Sequence, residues 1–240
     1  MPGDGTVLNT SVYEFPTSRS FVSQPQSFLL DLAEELPDIP AMPETLIAME
    51  LQLQERSVDL GEISEAILED VGATLQILRL AGRESTDAED RPARIEDCIS
   101  GLGLRACLRA AASEAPIKGP RHRALNEFRA HSREIARLCR LLAEEMPEFA
   151  IPQEAYLAGL FHDIGALPGI LGWDRSDLPA NRALAGWRMA EQWALPLFLK
   201  DYFREASMSG GDGHGWKIVS MAHQLAAGTF VSSPMNAATV

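Results

Sequence analysis

Between residues 27 and 228 apolar side chains recur at intervals of three and four, while the alternation expected of strands is almost absent. That period predicts an all-α protein. Phe28 to Leu36 reads as a short helix stopped by Pro37. Pro43 then suits the first position of a helix running to Leu53, because proline lacks only a donor left unpaired in the first turn. Asp59 followed by Glu62 resembles a capping box with an acid as the cap, ahead of Ile63, Ile67 and Leu68 on one face. Gly72 is expected to break that helix before Leu75, Leu78 and Ala81 begin another, and Gly82 to Pro92 reads as a loop. Ile95 to Leu102 and Leu104 to Ala112 follow as helices parted near Gly103.

Pro116, Gly119 and Pro120 punctuate any helix and mark a boundary between two helical lobes, 27–115 and 116–228. The ends, 1–26 and 229–240, lack apolar periodicity and read as tails. In the second lobe the expected helices are Ala124 to Glu145, Gln153 to His162, Ala180 to Trp193, a short one after Pro196, and Trp216 to Ala227. The expected architecture is a two-lobed helical bundle.

Composition narrows the partners more than the fold. Of the 240 residues, 46% are apolar and 23% charged, as in ordinary globular proteins, and no run approaches the roughly 20 apolar residues of a membrane span. The start has no basic patch leading into an apolar stretch, so a cytoplasmic protein with no membrane partner is expected. Thirty-four acidic against 21 basic side chains leave a net charge of −13, which repels a phosphate backbone and argues against nucleic acid. Cys98, Cys107 and Cys139 form no paired motif and read as small buried residues.

The candidate chemistry lies in the histidines. At 100° per residue, Phe128, Ile135, Leu138 and Leu142 fall on the same face as His131, which therefore points inward. Arg129, Arg133, Arg137 and Arg140 cluster opposite, as a solvated face within reach of Glu134 and Glu144. His162 and Asp163 end a helix whose matching face is Ala155, Ala158 and Gly159, small enough to admit a neighbouring backbone, and Gly165 is expected to stop it. His223 shares a face with Trp216, Val219 and Ala227. An inward histidine needs a carbonyl, a water, another side chain or a metal. Spacing alone favours hydrogen-bonded core histidines over a metal cluster. His122 and His214 read as surface residues.

The run Leu36-Pro-Asp-Ile-Pro-Ala-Met-Pro43, the acidic cap before Ile63 to Asp70, the stretch Leu75-Gln-Ile-Leu-Arg-Leu-Ala81, and Ile95 to Gly103 resemble the opening lobe of the HDOD family. His131-Ser132 on a long helix, followed by Tyr156-Leu-Ala-Gly-Leu-Phe-His-Asp-Ile-Gly165, is similar to its second lobe. HDOD proteins are relatives of the metal-dependent HD phosphohydrolases. The resemblance implies a reduced metal site at His131, His162 and Asp163, with His223 in place of a late aspartate. It implies at most one divalent ion, of zinc, manganese or iron.

Other departures argue against turnover. Ala166 stands where catalytic relatives carry a lysine, Arg182 where a further histidine is expected, and Ala206 and Ser207 where they carry a histidine pair. Gly82-Arg83-Glu84-Ser85 replaces a common Asn-Ser pair. No catalytic residue is therefore assigned. The expected role is a non-catalytic bacterial regulatory module that signals by binding another protein. The alternative is a metal-dependent phosphohydrolase acting on a nucleotide or phosphodiester. A small nucleotide ligand near Trp173, Trp187 and Trp193 is a further candidate, against a plain packing role for those rings.

Overall fold

The computed structural model describes residues 39–112, 119–148, 150–173, 178–208 and 213–228. The expected helix Phe28 to Leu36, both tails and Pro116 lie outside the described residues. Every regular element among the described residues is helical. The first lobe holds α1 (Pro43–Gln54), α2 (Leu60–Leu68), α3 (Val71–Glu84), α4 (Ile95–Leu102) and α5 (Leu104–Ala111). The second holds α6 (Pro120–Glu145), α7 (Pro152–Phe161), a 3-10 turn (Ile164–Ala166), α8 (Leu167–Leu171), α9 (Arg182–Gln192), α10 (Leu197–Ser207) and α11 (His214–Ala226).

Local chemistry accounts for most boundaries. Proline opens α1, α6 and α7. At α2 the Asp59 carboxylate accepts from the Glu62 amide at 3.0 Å, as the cap pattern predicts. Gly103, at φ 82°, parts α4 from α5.

Three of the expected helix breaks need correction. The break before α3 falls at Asp70, not at Gly72. The Asp70 carboxylate caps α3 through the Gly72 amide at 2.9 Å, and its other oxygen accepts from the Met42 amide at 2.6 Å, tying the entry of α1 to the start of α3. Gly72 lies inside the helix because a Cβ there would run into the Pro40 carbonyl. Gly82 likewise belongs to α3, which continues to Glu84, and a Cβ there would strike the Ala194 carbonyl of the second lobe. Both glycines cost the helix about 1 kcal/mol each in propensity and are retained for close backbone approach. Lastly, α7 already ends at Phe161 with His162 as its cap, where Gly165 was expected to stop it, and the 3-10 turn and α8 follow.

The lobes share one continuous apolar core, with α6 packed against α7, α11, α8 and α3. The arginine face of α6 is the seam. Arg129 is buried at 6% exposure, where its guanidinium donates to the Pro40 carbonyl and to the Asn126 side-chain oxygen. Its expected solvated position is therefore overturned, because the loop before α1 folds across it. Arg137 makes a two-pronged pair with Glu69 at 3.2 and 2.5 Å, and Arg140 reaches Glu65 at 3.1 Å. Those acids come from the first lobe, not from Glu134 and Glu144 on the same helix. Tyr156 on α7 donates to the Leu68 carbonyl at 3.1 Å, with the Arg140 guanidinium 4.3 Å above its ring. On the other side, Arg79 of α3 lies 5.5 Å from the wholly buried Trp193 ring. Trp193 is thus a packing residue between the lobes.

Candidate metal centre

Three segments distant in sequence bring the histidines together. His131 lies on α6, on the inward phase that its neighbours Phe128 and Ile135 establish by being buried. His162 caps the C-terminal end of α7. His223 lies in the last turn of α11. Ring centroids are 5.1 Å apart for His131 and His162, 5.2 Å for His131 and His223, and 4.7 Å for His162 and His223. One nitrogen from each ring lies within 4.8 Å of the other two. His122 and His214 are exposed, as expected.

The close approach depends on Gly159. A Cβ at that position would come within 2.7 Å of the Ala136 Cα and 2.9 Å of the Cys139 sulfur, so only glycine lets α7 lie this near α6. Gly159 also sets the state of one imidazole. Its carbonyl lies 2.7 Å from His162 Nδ1, and a carbonyl only accepts, so Nδ1 carries the proton and Nε2 keeps its lone pair. Burial holds the His162 pKa down at about 3, which keeps the ring neutral at ordinary pH, and burial also lowers that of His223.

Asp163 stands beside the trio rather than within it. Its Oδ2 lies 3.6 Å from the Arg182 guanidinium, and burial raises its pKa against the opposing pull of Arg182, His131 and His223. Arg182, read from the sequence only as a replaced ligand, is placed there by Gly165, where a Cβ would run into the Arg182 carbonyl. No local signal in the sequence announced this pair, because it depends on how the 3-10 turn meets the start of α9.

Three imidazoles converging from α6, the end of α7 and α11, one with its tautomer set by a backbone carbonyl, form a donor set suited to zinc or another borderline divalent ion. Nitrogens bound at about 2.1 Å to one tetrahedral ion stand about 3.4 Å apart, so small side-chain rotations would close the set. Among the described residues no other histidine, cysteine or carboxylate group of three or more converges in this way.

The two-lobed all-helical fold agrees with the fold class anticipated from the motifs. The chain belongs to the HDOD domain family, whose model matches residues 39–172, the first lobe and the second as far as α8. Among solved structures it is similar to the MmoQ response regulator of Methylococcus capsulatus str. Bath, with a TM-score of 0.63 and 19% identity over 82% of this chain and 89% of that one. A fragment of the same regulator gives 0.59 at 20% identity, covering 79% and 86%. A virulence factor of Campylobacter jejuni subsp. jejuni gives 0.55 at 14% identity, covering 84% and 81%. At these identities the likeness is one of fold. No curated protein matches the chain. No described helix is long and apolar enough to cross a membrane.

Proposed function

We propose that this chain is a non-catalytic regulatory module of a signalling pathway, in which one divalent ion on His131, His162 and His223 braces the second lobe and the module acts by binding another protein. The observation that carries the reading is the ligand inventory. Three histidines converge, Asp163 is engaged by Arg182, and Ala166 offers no charge to a phosphate. A two-ion clamp on an in-line phosphoryl displacement needs carboxylate or imidazole ligands on both ions. This set supports one. The ion would join α6, the end of α7 and α11, and binding energy of that kind adds directly to folding stability.

Elemental analysis of protein purified without chelator tests the brace. About one equivalent of zinc, manganese or iron is expected, lost with His131→Ala or His223→Ala, and chelation should lower the melting temperature. Protein free of stoichiometric metal, with unchanged melting under chelator, would remove the brace from this reading.

One observation favours the alternative, a phosphohydrolase acting on a nucleotide or phosphodiester. Arg182 brings a cation to the edge of the histidine group, and such a group stabilises developing phosphate charge. Turnover of a chromogenic phosphodiester or a cyclic dinucleotide with added manganese or iron, abolished by His162→Ala, would replace the regulatory reading with this one. No turnover above the His162→Ala background is expected.

A further inference from the structure

Among the described residues an apolar stripe is left exposed where α1 meets α2. Ile47 and Leu51, four residues apart on α1, are 56% and 57% exposed, and Val58 and Leu60 at the start of α2 are also exposed. Beside them runs a groove of about 170 Å³, floored by Ala48, Leu51, Ile63 and Ala66 and rimmed by Glu55 and Glu62. Side chains at i and i+4 on one helix, next to a groove between two helices, have the form that receives the apolar face of another helix. Isolated exposed leucines are ordinary, but Leu51 lines the groove and Ile47 lies one turn before it on the same helix, so the two extend one apolar surface.

Charge selects the occupant. From Pro43 to Leu68 the chain carries six carboxylates and one basic residue, Arg56. Glu65 is taken by Arg140. Among the described residues the Glu62 carboxylate accepts only from the neutral Gln52 amide, at 3.4 Å, and no ion pair involves Glu55. Phe28 to Leu36, before α1 in the sequence, carries Asp31, Glu34 and Glu35, and a second copy brings the same net charge of −13. Either would set carboxylates against carboxylates.

We infer that the α1–α2 groove is a docking site for an amphipathic helix of a partner protein, with aliphatic anchors that seat between Leu51 and Ile63 and against the neighbouring Ile47, and lysine or arginine residues that meet Glu55 and Glu62. The inference rests on the association half of the proposed function and names its surface. It requires nothing of the histidine group, on the far lobe.

The test uses the full chain and a fluorescent synthetic helical peptide of about 14 residues, with leucines at i, i+3, i+4 and i+7 and lysines elsewhere. A second peptide carries glutamates in place of the lysines. The lysine peptide should bind, more weakly as salt rises, and the glutamate peptide should bind at least about tenfold more weakly. The double variant Ile47→Gln, Leu51→Gln keeps the charge and removes the anchors, and should lose about tenfold in affinity. The pair Glu55→Gln, Glu62→Gln should lose a comparable share and most of the salt dependence.

Equal binding to the chain and to Ile47→Gln, Leu51→Gln would mean nonspecific attraction to an acidic protein and would overturn the inference. So would a dimer dissolved by that double variant. Tighter peptide binding after Leu32→Gln, which would show that the chain's own preceding segment covers the groove, would overturn it too. If the peptide fails while no hydrolysis is found, the regulatory reading stands and only this surface is lost. If the peptide binds while metal-dependent hydrolysis is found, the surface stands and the non-catalytic reading is lost.

Discussion

Gly159 on α7 lies so close to Ala136 on α6 that a Cβ added to it would stand 2.7 Å from the Ala136 Cα. Backbone cannot yield there as a flexible side chain can, and the Cys139 sulfur closes the other side at 2.9 Å. Gly159→Ala should therefore destabilise the fold by about 1–3 kcal/mol, the usual cost of overpacking a core. Because the same contact holds His162 near His131, metal affinity should fall with it. Urea unfolding and a metal titration check the two effects, and an unchanged unfolding midpoint would contradict this account of the packing.

Arg129 joins the lobes from inside. Its guanidinium donates to the Pro40 carbonyl within a buried seam, so Arg129→Ala leaves that carbonyl without its partner. A loss of about 2–3 kcal/mol is expected, as for a buried hydrogen bond to a charged group. Arg137→Ala, whose two-pronged pair with Glu69 is exposed, should cost under about 1 kcal/mol. Equal effects in denaturant unfolding would show that burial is not what distinguishes the two arginines.

Burial pushes the Cys98 and Cys139 thiols up to about 12 and Cys107 to about 11. The thiolate is the reacting form, so none should react with a thiol reagent at neutral pH in the folded chain. All three should react in denaturant. Rapid labelling of any of them in the native protein would contradict their placement in the core.

In chelator-treated protein, His162 should make stability fall in acid. Its pKa is lowered from 6.5 to about 3 by burial, so the unfolded chain takes up a proton at pH values where the folded chain does not. The stability it contributes is fully present above pH 6.5 and is lost progressively as pH falls toward 3. His162→Gln cannot titrate and should lose less stability across that window. Asp163 works in the opposite sense, since burial raises its pKa, and it is common to both proteins. Parallel pH profiles of the urea midpoint would count against the neutral, buried imidazole.

The sequence by itself determined the helical class, most helix starts, and the inward phase of His131, because each depends on spacing or capping within one element. Asp59 and Pro43 do their work within a turn or two of their own positions. The motifs around His162 and Asp163 also carried the family. What only the tertiary structure decided are relationships between elements. Gly72, Gly82 and Gly159 look like helix weaknesses until the backbones of Pro40, Ala194 and Ala136 are set against them. Arg129 and Arg137 share a helix face, yet one is buried against Pro40 and the other exposed beside Glu69. Phase gives the direction in which His131, His162 and His223 point along their own helices. Whether three directions meet at one place depends on how close those helices come, and no single helix carries that distance in its own residues.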